Sequence, residues 1–141
     1  MNLMTIFENI RPGDELPVRH FEVDNVQLFL YNAVLFNAHR IHYDMPYATE
    51  VEEYPGLVIA GPLMGDWLTQ CVVEWLGDEG RLVSFEYQNR QAAFVGEVLY
   101  SGGSVSSVDP ESGEARLQLF VKNQRGEVIT PGAATVRFDV G

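Results

Sequence analysis

From Leu63 to Leu76, apolar residues recur as Leu63, Met64, Trp67, Leu68, Cys71, Val72, Trp75 and Leu76. Alternating steps of one and three residues put them on one broad stripe of an α-helix, with Asp66, Thr69, Gln70 and Glu74 on the other face. Gly61-Pro62 supplies a start, because the N–H that proline lacks would go unpaired in a first helical turn. Gly77 supplies the stop, since glycine enters the left-handed region at little cost. The pattern predicts a helix of about four turns, reached through the apolar segment Leu57–Ala60. Two tryptophans on the stripe suit a central helix wrapped by sheet.

Other segments organise around it. Residues 1–14 read as a lead-in closed by the turn-forming Arg11-Pro12-Gly13-Asp14. Leu16, Val18 and His20 alternate with Pro17, Arg19 and Phe21, which predicts a strand near 15–22. Asp24 or Asn25 can cap a helix over Val26–Asn37, whose apolar residues fit both periods; the cap before it and the polar segment after it favour helix. Met45-Pro46 breaks that polar segment, leaving one or two helical turns at Tyr47–Glu53. Beyond the central helix, Arg81–Arg90, Ala93–Ser101, Ala115–Lys122 and Ala133–Val140 read as strands. Between them lie Gly102-Gly103, Asp109–Gly113, Gln124–Gly126 and Pro131-Gly132, all with turn chemistry. The layout is α+β, a single domain over residues 1–141 with an antiparallel sheet of about five strands and one long helix. One helix leaves part of such a sheet uncovered, and pairing with a second copy hides it, so a dimer is expected.

Composition narrows the function. With 141 residues and 46% hydrophobic content the chain is long enough for one ordinary core. No apolar run reaches the ~18 residues of a membrane span, and the N-terminus is acidic where a signal peptide would be basic. The single cysteine excludes an internal disulfide or a multi-cysteine metal site, and its place on the apolar stripe predicts a buried Cys71. A reducing, cytoplasmic location is the default. A net charge of −11 argues against nucleic acid as a partner, because phosphate attraction supplies most of that affinity. A small phosphorylated ligand held by a local cluster of basic residues remains compatible with it.

Chemistry concentrates in Phe36–Asp44, FNAHRIHYD, which contains two of the three histidines and Asn37. Histidine takes and returns a proton near neutral pH, so His39 or His42 can serve as an acid–base group. Two loop histidines bonded to backbone explain the same residues. No metal site is expected, since H-x-x-H brings no third ligand.

This segment, followed by YPGLVIAGPL at Tyr54–Leu63 and FEYQNRQAAFVGE at Phe85–Glu97, resembles the MaoC-like (R)-specific hydratases and dehydratases of the hot-dog fold. Within that family it is most similar to the branch of 3-hydroxyacyl-thioester dehydratases and mesaconyl- and itaconyl-CoA hydratases. The resemblance covers most of residues 26–100. It implies that His42 falls on the family's catalytic histidine and Asn37 on its catalytic aspartate, a position where this branch commonly has asparagine. Asn37 can orient a water but cannot take its proton. The family glycine that holds the thioester oxygen at the helix N-terminus falls on Gly61, and the residue before it, often histidine in relatives, is Ala60.

The resemblance implies reversible hydration of an enoyl thioester or dehydration of a 3-hydroxyacyl thioester, carried by coenzyme A or a carrier protein, within fatty acid metabolism and with no other cofactor. Tyr43, Asp44, Ala60 and Leu63 are expected beside the substrate. Arg40 either meets a phosphate or substrate carboxylate or pairs with Asp44 or Glu52. Arg90, with Arg81 and Lys122, either meets coenzyme A phosphates or is surface charge. A hot-dog thioesterase is the alternative enzyme, with Asp66 or Glu74 activating water. A non-catalytic subunit of a heterodimeric hydratase is the alternative outside catalysis.

Overall fold

The structure is a computed structural model that describes residues 6–139. The first five residues of the expected lead-in, and Val140 at the expected end of the last strand, lie outside them. In chain order the elements are α1 (Ile6–Asn9), β1 (Glu15–Glu22), α2 (Asn25–Val34), α3 (Gly61–Leu76), β2 (Gly80–Tyr87), β3 (Val98–Asp109), β4 (Glu114–Lys122) and β5 (Val128–Phe138). Short helical turns at Arg40–His42 and Tyr47–Val51 bridge α2 to α3. The five strands form one antiparallel sheet in the order β1-β3-β4-β5-β2.

α3 is the predicted central helix. Ala60 is its N-cap residue, Pro62 lies in its first turn, and Gly77 ends it at φ 58°. Leu63, Met64, Trp67, Leu68, Cys71, Val72 and Leu76 are buried, with Trp75 partly so, and they pack with Leu99, Leu117, Leu119, Val121 and Ile129 from the sheet. The Trp67 ring stacks on Phe21 of β1 at 4.1 Å. Fully burying aliphatic side chains of this size stabilises a fold by about 1.5–3 kcal/mol each, so this stripe supplies a large share of the apolar burial. On the opposite face Glu74 pairs with Arg19, and Asp66 accepts from Tyr31 Oη at 2.8 Å.

Three element ends here differ from expectation. α2 starts where Asp24 Oδ1 accepts from the Gln27 N–H at 2.7 Å, but it ends at Val34, so Asn37 belongs to the following turn. The strand expected to run to Arg90 stops at Tyr87. Ala93–Val95 do not begin β3; they lie beside Leu57–Ile59, bonded through Ile59 N–H to Ala93 O at 2.8 Å and Val95 N–H to Leu57 O at 3.0 Å. Gly96, at φ 94°, then turns the chain into β3.

Two presumed turns are strand interior. Gly102 and Gly103 sit in the middle of β3, paired with Phe120 and Leu119. A Cβ on Gly102 would stand 2.7 Å from the Phe120 ring, and one on Gly103 would stand 2.5 Å from the Gln118 carbonyl oxygen. Glycine serves close packing there, as it often does inside strands. Pro131-Gly132 lies within β5, with Pro131 one residue past the last β2 pair, Tyr87↔Gly132. A missing N–H is tolerated where a ladder ends.

Candidate active site

The segment entering α3 is held from both sides, and that places the histidine. Val58 donates its N–H to the Ile41 carbonyl at 3.0 Å, and its own carbonyl lies 2.6 Å from His42 Nδ1. A carbonyl only accepts, so Nδ1 carries the proton and the neutral ring presents Nε2 as a bare lone pair. Val58 precedes Gly61 by three residues, so the ring is anchored within about 11 Å of the helix tip along the chain. His42 is 7% exposed. Burial lowers its pKa below the ordinary 6.5; the Val58 bond opposes that, and neighbouring His39 adds to the lowering. The two imidazoles meet edge to face at 5.6 Å between centroids.

At the helix tip Ala60 is fully buried, and the Gly61 N–H has no acceptor among the described residues. Pro62 has no N–H, and Leu63 donates to the Ala60 carbonyl at 3.0 Å. The space a Gly61 side chain would fill is taken by Asn89, whose Nδ2 lies 2.2 Å from the ideal Cβ position. Asn89 Oδ1 accepts from Thr130 Oγ1 at 3.0 Å. Asn89 was missed in the sequence although it sits inside the segment FEYQNRQAAFVGE, because attention to charge selects its neighbour Arg90. Val58 was missed because only its backbone acts.

The remaining expected residues separate into distinct surroundings. Asn37 Oδ1 accepts the His39 N–H at 3.1 Å, closing the turn that leads to His42, and Nδ2 has no acceptor among the described residues. Asn37 and Tyr43 line an apolar groove of about 300 Å³ with Phe29, Asn32 and Phe36. Tyr43 Oη donates to the Ala38 carbonyl at 3.1 Å. Arg40 donates through Nε and Nη2 to Asp44 Oδ2, at 3.0 and 2.7 Å, and lies over the Tyr47 ring at 4.3 Å. Of the two readings for Arg40, the ion pair with Asp44 is the one formed here. Asp44 anchors the loop: Oδ1 accepts the Tyr47 N–H at 3.3 Å, and Arg40 together with that N–H holds its carboxyl below the usual range. Leu63 is buried in the core at 6% exposure. Arg90 lines a cleft of about 330 Å³ between the end of β2 and Pro131–Ala133 of β5. Cys71 is buried, and that burial pushes its thiol up.

Comparison with known proteins bears on the family and the fold. Residues 7–95 match the family model described as hydroxyacyl-thioester dehydratase type 2. A stretch of 37 residues is 65% identical to mesaconyl-C(4)-CoA hydratase of Chloroflexus aurantiacus, covering 26% of this chain and 13% of that protein. The chain thus matches only a small part of that relative's length. A solved MaoC-like dehydratase superposes with a TM-score of 0.87 at 26% identity, over 96% of this chain and 42% of that one. The (R)-hydratase from A. caviae involved in PHA biosynthesis superposes with a TM-score of 0.85, over 93% of this chain and 98% of that one; at 15% identity that likeness speaks for the hot-dog fold.

Proposed function

The chain belongs to the hydroxyacyl-thioester dehydratase type 2 family, and from that premise we propose that it hydrates enoyl thioesters, and dehydrates 3-hydroxyacyl thioesters, with His42 as the acid–base group. The observation that carries this reading is the 2.6 Å bond from His42 Nδ1 to the Val58 carbonyl, which leaves Nε2 free beside the segment leading to Gly61. In the hydration direction a water held by Asn37 Nδ2 gives its proton to Nε2 while its oxygen bonds to C3. The C2=C3 pair shifts toward C1, and charge gathers on the thioester oxygen, where the Gly61 N–H can receive it. The imidazolium then returns its proton to C2 and the carbonyl re-forms. One water is added, and the ring ends as it began.

The substrate is proposed to be a coenzyme A or carrier-protein thioester. The match to mesaconyl-C(4)-CoA hydratase supports a short dicarboxylic acyl group among the substrates. Arg40 is the cation nearest in sequence to His42; its Nε and Nη2 are held by Asp44, and in this reading Nη1 binds the second carboxylate. We also propose a working unit of two hot-dog domains, as a homodimer or with a distinct partner subunit. β1 and β2 are the outer strands of the sheet, and the solved MaoC-like dehydratase chain is more than twice the length this chain covers. A reducing cytoplasmic location suits the buried thiol of Cys71. The thioesterase alternative has less support, since Asp66 and Glu74 are engaged by Tyr31 and Arg19.

The test is a panel of enoyl-CoA substrates, with crotonyl-CoA and mesaconyl-CoA included, followed by loss of the conjugated thioester absorbance. Hydration by the wild type and none by His42→Ala is the expected result. Release of free coenzyme A without hydration would instead mark a thioesterase.

A further inference from the structure

The hydratase reading, on which this inference rests, leaves the charge on the thioester oxygen to a single amide. Within the first three residues of α3 only the Gly61 N–H is free, because Pro62 has none and Leu63 is engaged with Ala60. Oxyanion sites typically use more than one donor, and each is worth about 10²–10³ in kcat.

A second donor stands at that tip. Gly61 does not adopt a left-handed φ, so its glycine is not a demand of backbone conformation. What excludes a side chain is the Asn89 carboxamide, with Nδ2 at 2.2 Å and Cγ at 2.9 Å from the ideal Cβ. Thr130, fully buried on β5, occupies Asn89 Oδ1 at 3.0 Å. In this arrangement the amide oxygen faces Thr130 and the nitrogen faces Gly61. Nδ2 has no acceptor among the described residues. The backbone on either side is fastened to β5, Gln88 N–H to Pro131 O at 3.0 Å and Arg90 N–H to Ile129 O at 2.9 Å. The amide is therefore aimed before any substrate arrives, which is what electrostatic stabilisation requires.

We propose that Asn89 donates a second hydrogen bond to the thioester carbonyl oxygen, with Thr130 as the residue that positions it. As the water oxygen bonds to C3, the displaced π pair ends on that oxygen, between Gly61 N–H and Asn89 Nδ2–H. Asn89 transfers no proton. Its bond strengthens as charge develops, so its loss lowers kcat more than it raises KM.

The experiment measures kcat, KM and Tm for wild type, Asn89→Ala, Asn89→Asp, Thr130→Val and His42→Ala on the best enoyl-CoA of the panel. Asn89→Ala is expected to lower kcat about 100-fold with Tm nearly unchanged. Asn89→Asp should fall at least as far, because a carboxylate repels the developing charge. Thr130→Val, close to isosteric, should show a smaller loss in the same parameter, and it carries the test if Asn89→Ala does not fold. An unchanged kcat overturns the proposal, as does a loss confined to KM or to Tm. Active wild type, inactive His42→Ala and full-rate Asn89→Ala would remove this inference alone. Wild type without hydratase activity would remove the functional reading and this inference with it.

Discussion

His42 Nδ1 and the Val58 carbonyl oxygen are 2.6 Å apart, although the two residues are 16 positions apart in the chain. That bond puts the ring proton on Nδ1 and leaves Nε2 as the free nitrogen. It also ties the loop carrying the histidine to the segment that enters the buried helix.

The first expectation concerns pH. Burial, the largest influence, keeps the His42 pKa below 6.5. The base is therefore already neutral at pH 7, and kcat/KM should be flat there, falling only as pH drops below 6.5 through the ring's own pKa. Folding shows the same sign: the unfolded ring binds a proton more readily than the folded one. The contribution to stability is complete above pH 6.5 and is lost as pH falls through the folded pKa. A pH–rate profile with its acid midpoint above 6.5 would contradict this.

Removing the base and removing the water holder should differ. His42→Ala is expected to cost about 10²–10⁴ in kcat, the usual range for a general acid–base group. Asn37→Ala should cost less, about tenfold, since its Oδ1 is already spent on the His39 N–H. Equal losses in single-turnover hydration would mean that Asn37 has a chemical role beyond orienting water.

Gly61→Ala should inactivate without unfolding. Its methyl group meets the end of the Asn89 side chain rather than backbone, so Asn89 can swing away and the helix tip survives. With the amide displaced, kcat should fall about 100-fold or more. Calorimetry alongside the rate assay separates the two effects: a large drop in Tm would show that the glycine serves the fold.

Gly103→Ala should do the reverse. The new methyl would stand 2.5 Å from the Gln118 backbone oxygen, which cannot move without parting β3 from β4. Overpacking of this kind costs about 1–3 kcal/mol. Urea denaturation should show it as a lower midpoint with an unchanged slope, while the rate per folded molecule stays near wild type.

Arg40 bears on specificity. It is exposed and already oriented by Asp44 and the Tyr47 ring. Arg40→Met should raise KM for mesaconyl-CoA about tenfold, the scale of one hydrogen bond to a charged group. KM for crotonyl-CoA should stay the same. Equal effects on both thioesters would remove the carboxylate role.

The central helix could be read from the chain because its signal is local: apolar residues at the helical period, a Gly-Pro start and a Gly stop act within a few turns of one another. The same holds for β1, for the Asp24 cap and for the number of strands. Gly102-Gly103 and Pro131-Gly132 misled because their chemistry also suits turns, and only Phe120, Gln118 and the end of β2 decide otherwise. The histidine was visible as a residue type, but its tautomer depended on Val58. Asn89 was invisible as a partner of Gly61 for the same reason. Periodicity and capping are written along the chain, whereas a hydrogen bond between distant segments exists only once packing has brought them together, and the site is made of bonds of that second kind.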